Sequence, residues 1–250
     1  MKKLPDYLIL GNIRCGTTST YFMMLQHPQI VPAIKKELYF FNHFGKDDLW
    51  EKGKEWYISQ LGDCQKGQIT GEATPGYMWN YNKVAPRVKQ ICPNTKFIII
   101  LRNPIDKIYS HFLLYVRAYL RNKRKPVTTS FDKIMEDTFN KKNTLIAKMG
   151  QRILDRTTYV NILKGWLKYF PREQFLILKS EDMFQNPNKV LNQIFTFLGL
   201  SPFTITPLHR NKGRRSPMRE IWKNKLKEYF EPYNKELYKL IGKNFNWEGK

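Results

Sequence analysis

The stretch Leu4–Ser19, LPDYLILGNIRCGTTS, decides the fold. Its first half, Leu4–Leu10, reads as a short buried strand. Gly11–Gly16 then makes a turn, and Thr17–Gln26 carries a helical pattern that stops near His27-Pro28. A glycine-bounded turn between a strand and a helix is the setting in which backbone amides and a helix N-terminus face an anion. The hydroxyls of Thr17, Thr18 and Ser19 add donors at the same point.

Working outward, Phe97–Leu101 (FIIIL) is the clearest strand: five apolar residues, β-branched in the middle, closed by Asn103-Pro104. Pro104 suits the first turn of a helix, and Ile105–Leu120 continues at helical spacing. Phe175–Leu178 (FLIL) is a further buried strand, and Ile69–Tyr77 is a strand end running into a loop. Lys35–Phe41 is a strand or a loop. Helices are expected over Asp47–Gln60, Phe131–Met149, Asp155–Phe170, Asn188–Leu198 (ended by Gly199) and Arg219–Ile241, with a basic loop over Thr204–Pro217. Short apolar strands alternating with longer helices imply an α/β fold: a P-loop-like parallel sheet flanked by helices, in one domain spanning 1–250.

The chain has 250 residues, 42% of them hydrophobic, which excludes a disordered chain despite a net charge of +22. No apolar run reaches the length of a membrane span, and no secretory signal follows Met1-Lys2-Lys3. Cys15, Cys64 and Cys92 are too scattered for a disulfide framework or a zinc site. A reducing cytoplasm is the simplest compartment; a lumenal enzyme cut from its anchor would look similar. The charge implies an anionic partner without saying which, and most of the lysines read as solvated surface.

The anion is narrowed by what the turn lacks. Against the nucleotide-hydrolase pattern G-x-x-x-x-G-K-[ST], Gly11, Gly16 and Thr18 match, but Thr17 stands where the lysine belongs, and the cation has moved to Arg14. Such hydrolases also hold magnesium with an aspartate after a second apolar strand. Here Arg102 follows Phe97–Leu101, and an arginine repels a metal and welcomes a phosphate. Ser110 lies eight residues on, about two turns into the next helix, where it could share a phosphate with Arg102. The residues therefore favour phosphate binding by cations and amides without a metal. An ordinary strand–helix turn and a surface arginine are the plainer alternatives.

Five segments in order resemble the sulfotransferases that use 3′-phosphoadenosine 5′-phosphosulfate (PAPS), above all the heparan sulfate sulfotransferase-related group and its bacterial relatives. They are Gly11–Ser19, KKELYFFN at Lys35–Asn42, GEATPGY at Gly71–Tyr77, RNPIDKIYSHF at Arg102–Phe112, and Phe170–Leu200, followed by the loop Arg210–Arg214. The resemblance spans nearly the whole chain. It implies sulfuryl transfer from PAPS to an acceptor hydroxyl or amine. The loop Arg14, Cys15, Gly16, Thr17, Thr18 and Ser19 would hold the 5′-phosphosulfate end. Arg102 and Ser110 would hold the 3′-phosphate, with Lys212, Gly213 and Arg214 closing over it. The K-E-x-x-F-F motif of the group places the general base on Glu37. Arg14 stands where the family usually has lysine; arginine supplies charge to the leaving phosphate but does not readily donate a proton. Glu72 and Thr74 fall where the family lines the donor and acceptor cleft, and the lysine some members carry at the position of Ala73 is missing. Tyr159 reads equally as a cleft residue or a packing tyrosine. No metal is implied. The acceptor is left open between an acidic glycan, which the basic run Arg117–Lys125 would suit, and a small molecule. Two other classes compete: a polyanion or nucleic-acid binder without catalysis, and a nucleotide kinase with a degenerate loop, which Thr17 and Arg102 oppose.

Overall fold

A computed structural model describes residues 1–43, 48–121, 130–208 and 217–248, with side chains excluded over 115–121. Five strands form one parallel sheet: β1 (Tyr7–Gly11), β2 (Ile30–Pro32), β3 (Ile69–Ala73), β4 (Lys96–Leu101) and β5 (Phe175–Lys179), in the order β2-β3-β1-β4-β5. Tyr7 pairs with Gly71 on one side and Lys96 on the other, and Phe97–Leu101 runs in register with Phe175–Lys179. β1 is buried along its whole length and β4 at all but its first residue. That is why both read as unbroken apolar runs: a parallel strand covered on both faces has no polar side to alternate with.

The chain forms two compact units, residues 1–101 with 162–212, and 102–161 with 213–250. The first holds the sheet, α1 (Thr17–Met24), α2 (Gly53–Ser59), α3 (Tyr81–Ile91), most of α7 (Tyr159–Leu167), α8 (Ser180–Gln185) and α9 (Pro187–Leu198). Its core joins Ile9, Tyr21 and Met24 to Ile98, Ile100, Leu191, Ile194 and Phe195. Asp48 ties α3 to the turn before α2. Its carboxylate accepts from Arg87 and Lys83, at 2.8 Å each, and Arg87 holds it well below the usual carboxylate range. The second unit holds α4 (Pro104–Arg121), α5 (Phe131–Phe139), α6 (Leu145–Asp155) and α10 (Glu220–Ile241) around Ile108, Phe112, Phe131, Ile134, Leu154, Trp222 and Leu226. Among the described residues no helix is long and apolar enough to cross a membrane.

Several expectations shift. The single helix expected over Phe131–Met149 is two: Lys141 takes a left-handed backbone, and the Thr144 hydroxyl then accepts from the Ala147 amide to start α6 afresh. The helix expected from Asp155 begins at Tyr159, because the Thr157 and Thr158 hydroxyls bond back to the carbonyls of Ile153 and Leu154 and close α6. Asp47–Gln60 resolves into a 3-10 turn, Leu49–Lys52, and then α2, with Asp47 outside the described residues. Lys35–Phe41 has no regular secondary structure. β2 and α3 were not anticipated. β2 is three residues long and ends in Pro32; α3 contains Pro86.

Candidate active site

The carboxyl ends of parallel strands leave one edge of a sheet, and ligands collect there. Gly11–Ser19, Lys35–Asn42 and Arg102–Phe112 follow the ends of β1, β2 and β4, and Gly71–Tyr77 runs off the end of β3. After β1, the loop turns back on itself: the Asn12 amide donates to Ile100 O at 2.8 Å and the Cys15 amide to Asn12 O at 3.2 Å. Arg14 sits at φ 65, partly exposed, and Gly16 at φ 93 directly before α1. Gly16 suits this point doubly. Its backbone is left-handed, and a Cβ there would lie 3.1 Å from Phe184 Cζ. The first amides of α1 have no carbonyl within the helix to accept from them, as at any helix start. Thr17 and Ser19 are buried, Thr18 is partly exposed, and Cys15 is fully enclosed with its thiol turned to Ile13 O at 3.6 Å. Cys15 thus contributes backbone to the turn, and its burial leaves no room for a nucleophile.

One residue beside this loop went unrecognised in the sequence. Ser180, the first residue after β5, is 1% exposed, and among the described residues its Oγ has no hydrogen-bond partner. It would lie 3.8 Å from a Cβ on Gly16. A buried hydroxyl without a partner costs free energy that a bound anion would recover. The signal for it was positional: FLILK-Ser puts Ser180 at the carboxyl end of a buried parallel strand.

Glu37 lies in the irregular segment after β2, about a third exposed at 32%. Its carboxylate accepts from Lys36 Nζ at 2.6 Å and from the Tyr39 hydroxyl. Burial, with the Glu37 contact second, pushes the Tyr39 phenol upward, so it stays protonated and donating. Glu37 and Tyr39 both have left-handed backbones, at φ 65 and φ 57. For residues with a Cβ this is strained, and such strain survives only where surrounding contacts over-determine it.

Those contacts end on Glu72. It does not line an open cleft: its side chain is fully buried. Oε2 accepts from the Leu38 amide at 3.2 Å and the Thr74 hydroxyl at 2.5 Å; Oε1 accepts from Tyr77 at 2.8 Å and Tyr57 at 3.2 Å. Burial raises the Glu72 carboxyl, and these donors oppose the rise. Thr74, also fully buried, accepts in turn from the Tyr39 amide at 3.4 Å.

In the second unit, Arg102 follows β4. Its guanidinium stands 3.6 Å from the Asp106 carboxylate, and its carbonyl accepts from the Tyr159 hydroxyl at 2.9 Å. Tyr159 is 2% exposed, so it supports the backbone at Arg102 from within this unit. The Asn103 side chain caps the Ile105 amide at 3.0 Å ahead of Pro104. Ser110 is buried, and the fully buried Lys107 donates to Thr157 Oγ1 at 2.7 Å and Arg156 O at 3.1 Å. Lys212, Gly213 and Arg214 lie outside the described residues, as do the side chains of Arg117–Lys125. Among the described residues no three His, Cys, Asp or Glu side chains are grouped to hold a metal ion.

A family model described as "Sulfotransferase domain" matches residues 4–231. The chain is 24% identical to the membrane-associated sulfotransferase kil1 of Dictyostelium discoideum, over 98% of this chain and 67% of that protein. It is 26% identical to the heparan sulfate glucosamine 3-O-sulfotransferase 3A1 of Mus musculus, over 99% of this chain and 65% of that protein. The chain thus spans about two thirds of the length of these relatives. A sulfotransferase crystal structure from Alicyclobacillus acidocaldarius shares the fold with a TM-score of 0.77 at 24% identity, covering 99% of this chain and all of that one.

Proposed function

This chain belongs to the sulfotransferase family, and we propose that it moves the sulfuryl group of PAPS to a hydroxyl on an acidic glycan. The observation that carries the reading is the turn after β1. It offers helix-start amides, a left-handed glycine and a neighbouring unpartnered Ser180 hydroxyl to an anion, with Thr17 where a nucleotide hydrolase needs lysine. That chemistry fits a phosphosulfate: several donors and a cation around oxygens that carry negative charge.

In this reading the loop Arg14–Ser19, joined by Ser180, holds the 5′-phosphosulfate end. Arg102 and Ser110 hold the 3′-phosphate, and Lys212, Gly213 and Arg214 cover it. PAPS supplies the sulfuryl group and a phosphate leaving group. Glu37 takes the proton from the acceptor hydroxyl as its oxygen bonds to sulfur. Arg14 holds the charge that builds on the leaving phosphate. Lys36 and Tyr39 keep the Glu37 carboxylate oriented. Glu72 and Thr74, first read as cleft residues, act instead from beneath the base segment. The acceptor class rests on the net charge of +22 and on relatives whose names specify heparan sulfate glucosamine.

The test is transfer of label from ³⁵S-PAPS to a panel of heparan sulfate, chondroitin, a small phenol and a DNA duplex. Label should enter heparan sulfate in the presence of EDTA. Transfer only to the phenol would overturn the glycan assignment, and transfer to none of them would overturn the activity.

A further inference from the structure

Three backbone amides of the segment that carries Glu37 lead to one buried carboxylate. Leu38 donates to Glu72 Oε2 directly. Tyr39 donates to Thr74 Oγ1, whose hydroxyl donates to the same oxygen. Phe41 donates at 3.4 Å to the Tyr77 hydroxyl, which donates to Oε1. Tyr57 supplies a fourth donor to Glu72 and stacks on Phe40, with ring centroids 4.4 Å apart.

We propose that Glu72 is a positioning residue for the transfer reaction, a buried acceptor that sets the backbone of residues 38–41 and through it the direction of the Glu37 carboxylate. The inference rests on the reading of Glu37 as base.

The segment has no strand or helix ladder to fix it, so its amides need other acceptors. It also holds two left-handed residues with side chains, Glu37 and Tyr39. Released from its acceptors, such backbone relaxes toward the ordinary extended region. The Glu37 carboxylate moves with it, since the side chain hangs from the first of these strained residues. An apolar residue at 72 could fill the space but could not accept a hydrogen bond from any of the three routes. An ion pair with a surface cation could not do this work either, because the segment needs an acceptor directly beneath it. The neutral donors around Glu72 fill both of its oxygens and leave it no part in proton transfer itself.

Two substitutions test this, Glu72→Met and the milder Thr74→Val, which removes only the route from Tyr39. With ³⁵S-PAPS and heparan sulfate, Thr74→Val should lower kcat about tenfold and Glu72→Met about a hundredfold, the scale of a misaligned catalytic group. Affinity for adenosine 3′,5′-bisphosphate should be unchanged. In the Glu37→Gln background neither substitution should lower the rate further, because the group they position has gone. Losses that multiply in that background would mean general structural damage and would overturn the proposal. Hydrogen exchange supplies a readout without an acceptor: the Leu38 amide should exchange roughly tenfold faster or more in Glu72→Met and the Tyr39 amide in Thr74→Val, with the sheet amides unchanged. Unaltered exchange at those two amides would also overturn it. If Glu72→Met does not fold, Thr74→Val carries both measurements alone. Full activity in Glu37→Gln has a different meaning: it removes the base assignment, and the positioning role falls with it.

Discussion

Glu37→Gln should lower sulfuryl transfer by roughly 10²–10⁴-fold, the usual contribution of a positioned general base, while adenosine 3′,5′-bisphosphate binds as it does to the unaltered protein. The amide keeps the volume of the carboxylate and still accepts from Lys36 or Tyr39, so the segment keeps its shape. What it loses is the capacity to take a proton. The acceptor hydroxyl must give its proton up as its oxygen bonds to sulfur, and the two donors around Glu37, an ammonium and a protonated phenol, cannot receive it. Binding is spared because the phosphates are assigned to other residues. Steady-state kinetics with ³⁵S-PAPS, alongside calorimetry with the bisphosphate, separate the two effects. A rate within about threefold of the unaltered enzyme would be far below the contribution of a base and would move that role to another group.

Gly71→Ala should destabilise the protein by about 3 kcal/mol or more, at the upper end of overpacking. Gly71 faces Tyr7 across the β1–β3 pair, and a Cβ there would lie 2.2 Å from the Tyr7 carbonyl oxygen and 2.8 Å from two of its ring carbons. The carbonyl cannot move aside. β1 lies between β3 and β4 in the sheet, and Tyr7 is fully buried. Relief therefore means separating two central strands, one residue before the buried Glu72. Thermal unfolding should drop by about 6–12 °C for a chain of this size. A midpoint within about 2 °C of the unaltered protein would show that the strands have slack that this packing denies.

The sequence carried the fold well where local chemistry and tertiary context agree. LPDYLILGNIRCGTTS became strand, turn and helix, with β1 ending at Gly11 and α1 starting at Thr17. Phe97–Leu101 and Phe175–Leu178 are both parallel strands, and Gly199 ends α9 in the left-handed conformation expected of it. Elements were lost where context overrode pattern. β2 has only three residues, too few for any periodicity, and exists because β3 offers it an edge. α3 carries Pro86 at its middle, where a proline costs a hydrogen bond and a ring clash; burial of Val84, Ala85 and Val88 favours the helix nonetheless.

The candidate site shows in the sequence through its residue types and much less through its depths. Glu37, Arg14 and the hydroxyls of the loop announce themselves by motif. Glu72 sits in the same kind of motif, and nothing in GEATPGY says that its carboxylate points inward. Burial of a charge is decided by who donates to it, and here the donors come from positions 38, 57, 74 and 77. Only the folded chain brings those four together. Ser180 was hidden for the opposite reason: one serine after a strand is ordinary until its hydroxyl is found buried, unpartnered and close to Gly16.

Titration calorimetry of the protein with adenosine 3′,5′-bisphosphate, run in EDTA and again with magnesium, bears most directly on whether this chain grips a doubly phosphorylated adenylate through arginines, hydroxyls and amides. The bisphosphate should bind equally well in both buffers and more tightly than ATP by about tenfold or more. Binding that requires magnesium, or that favours ATP, would contradict the account at its centre.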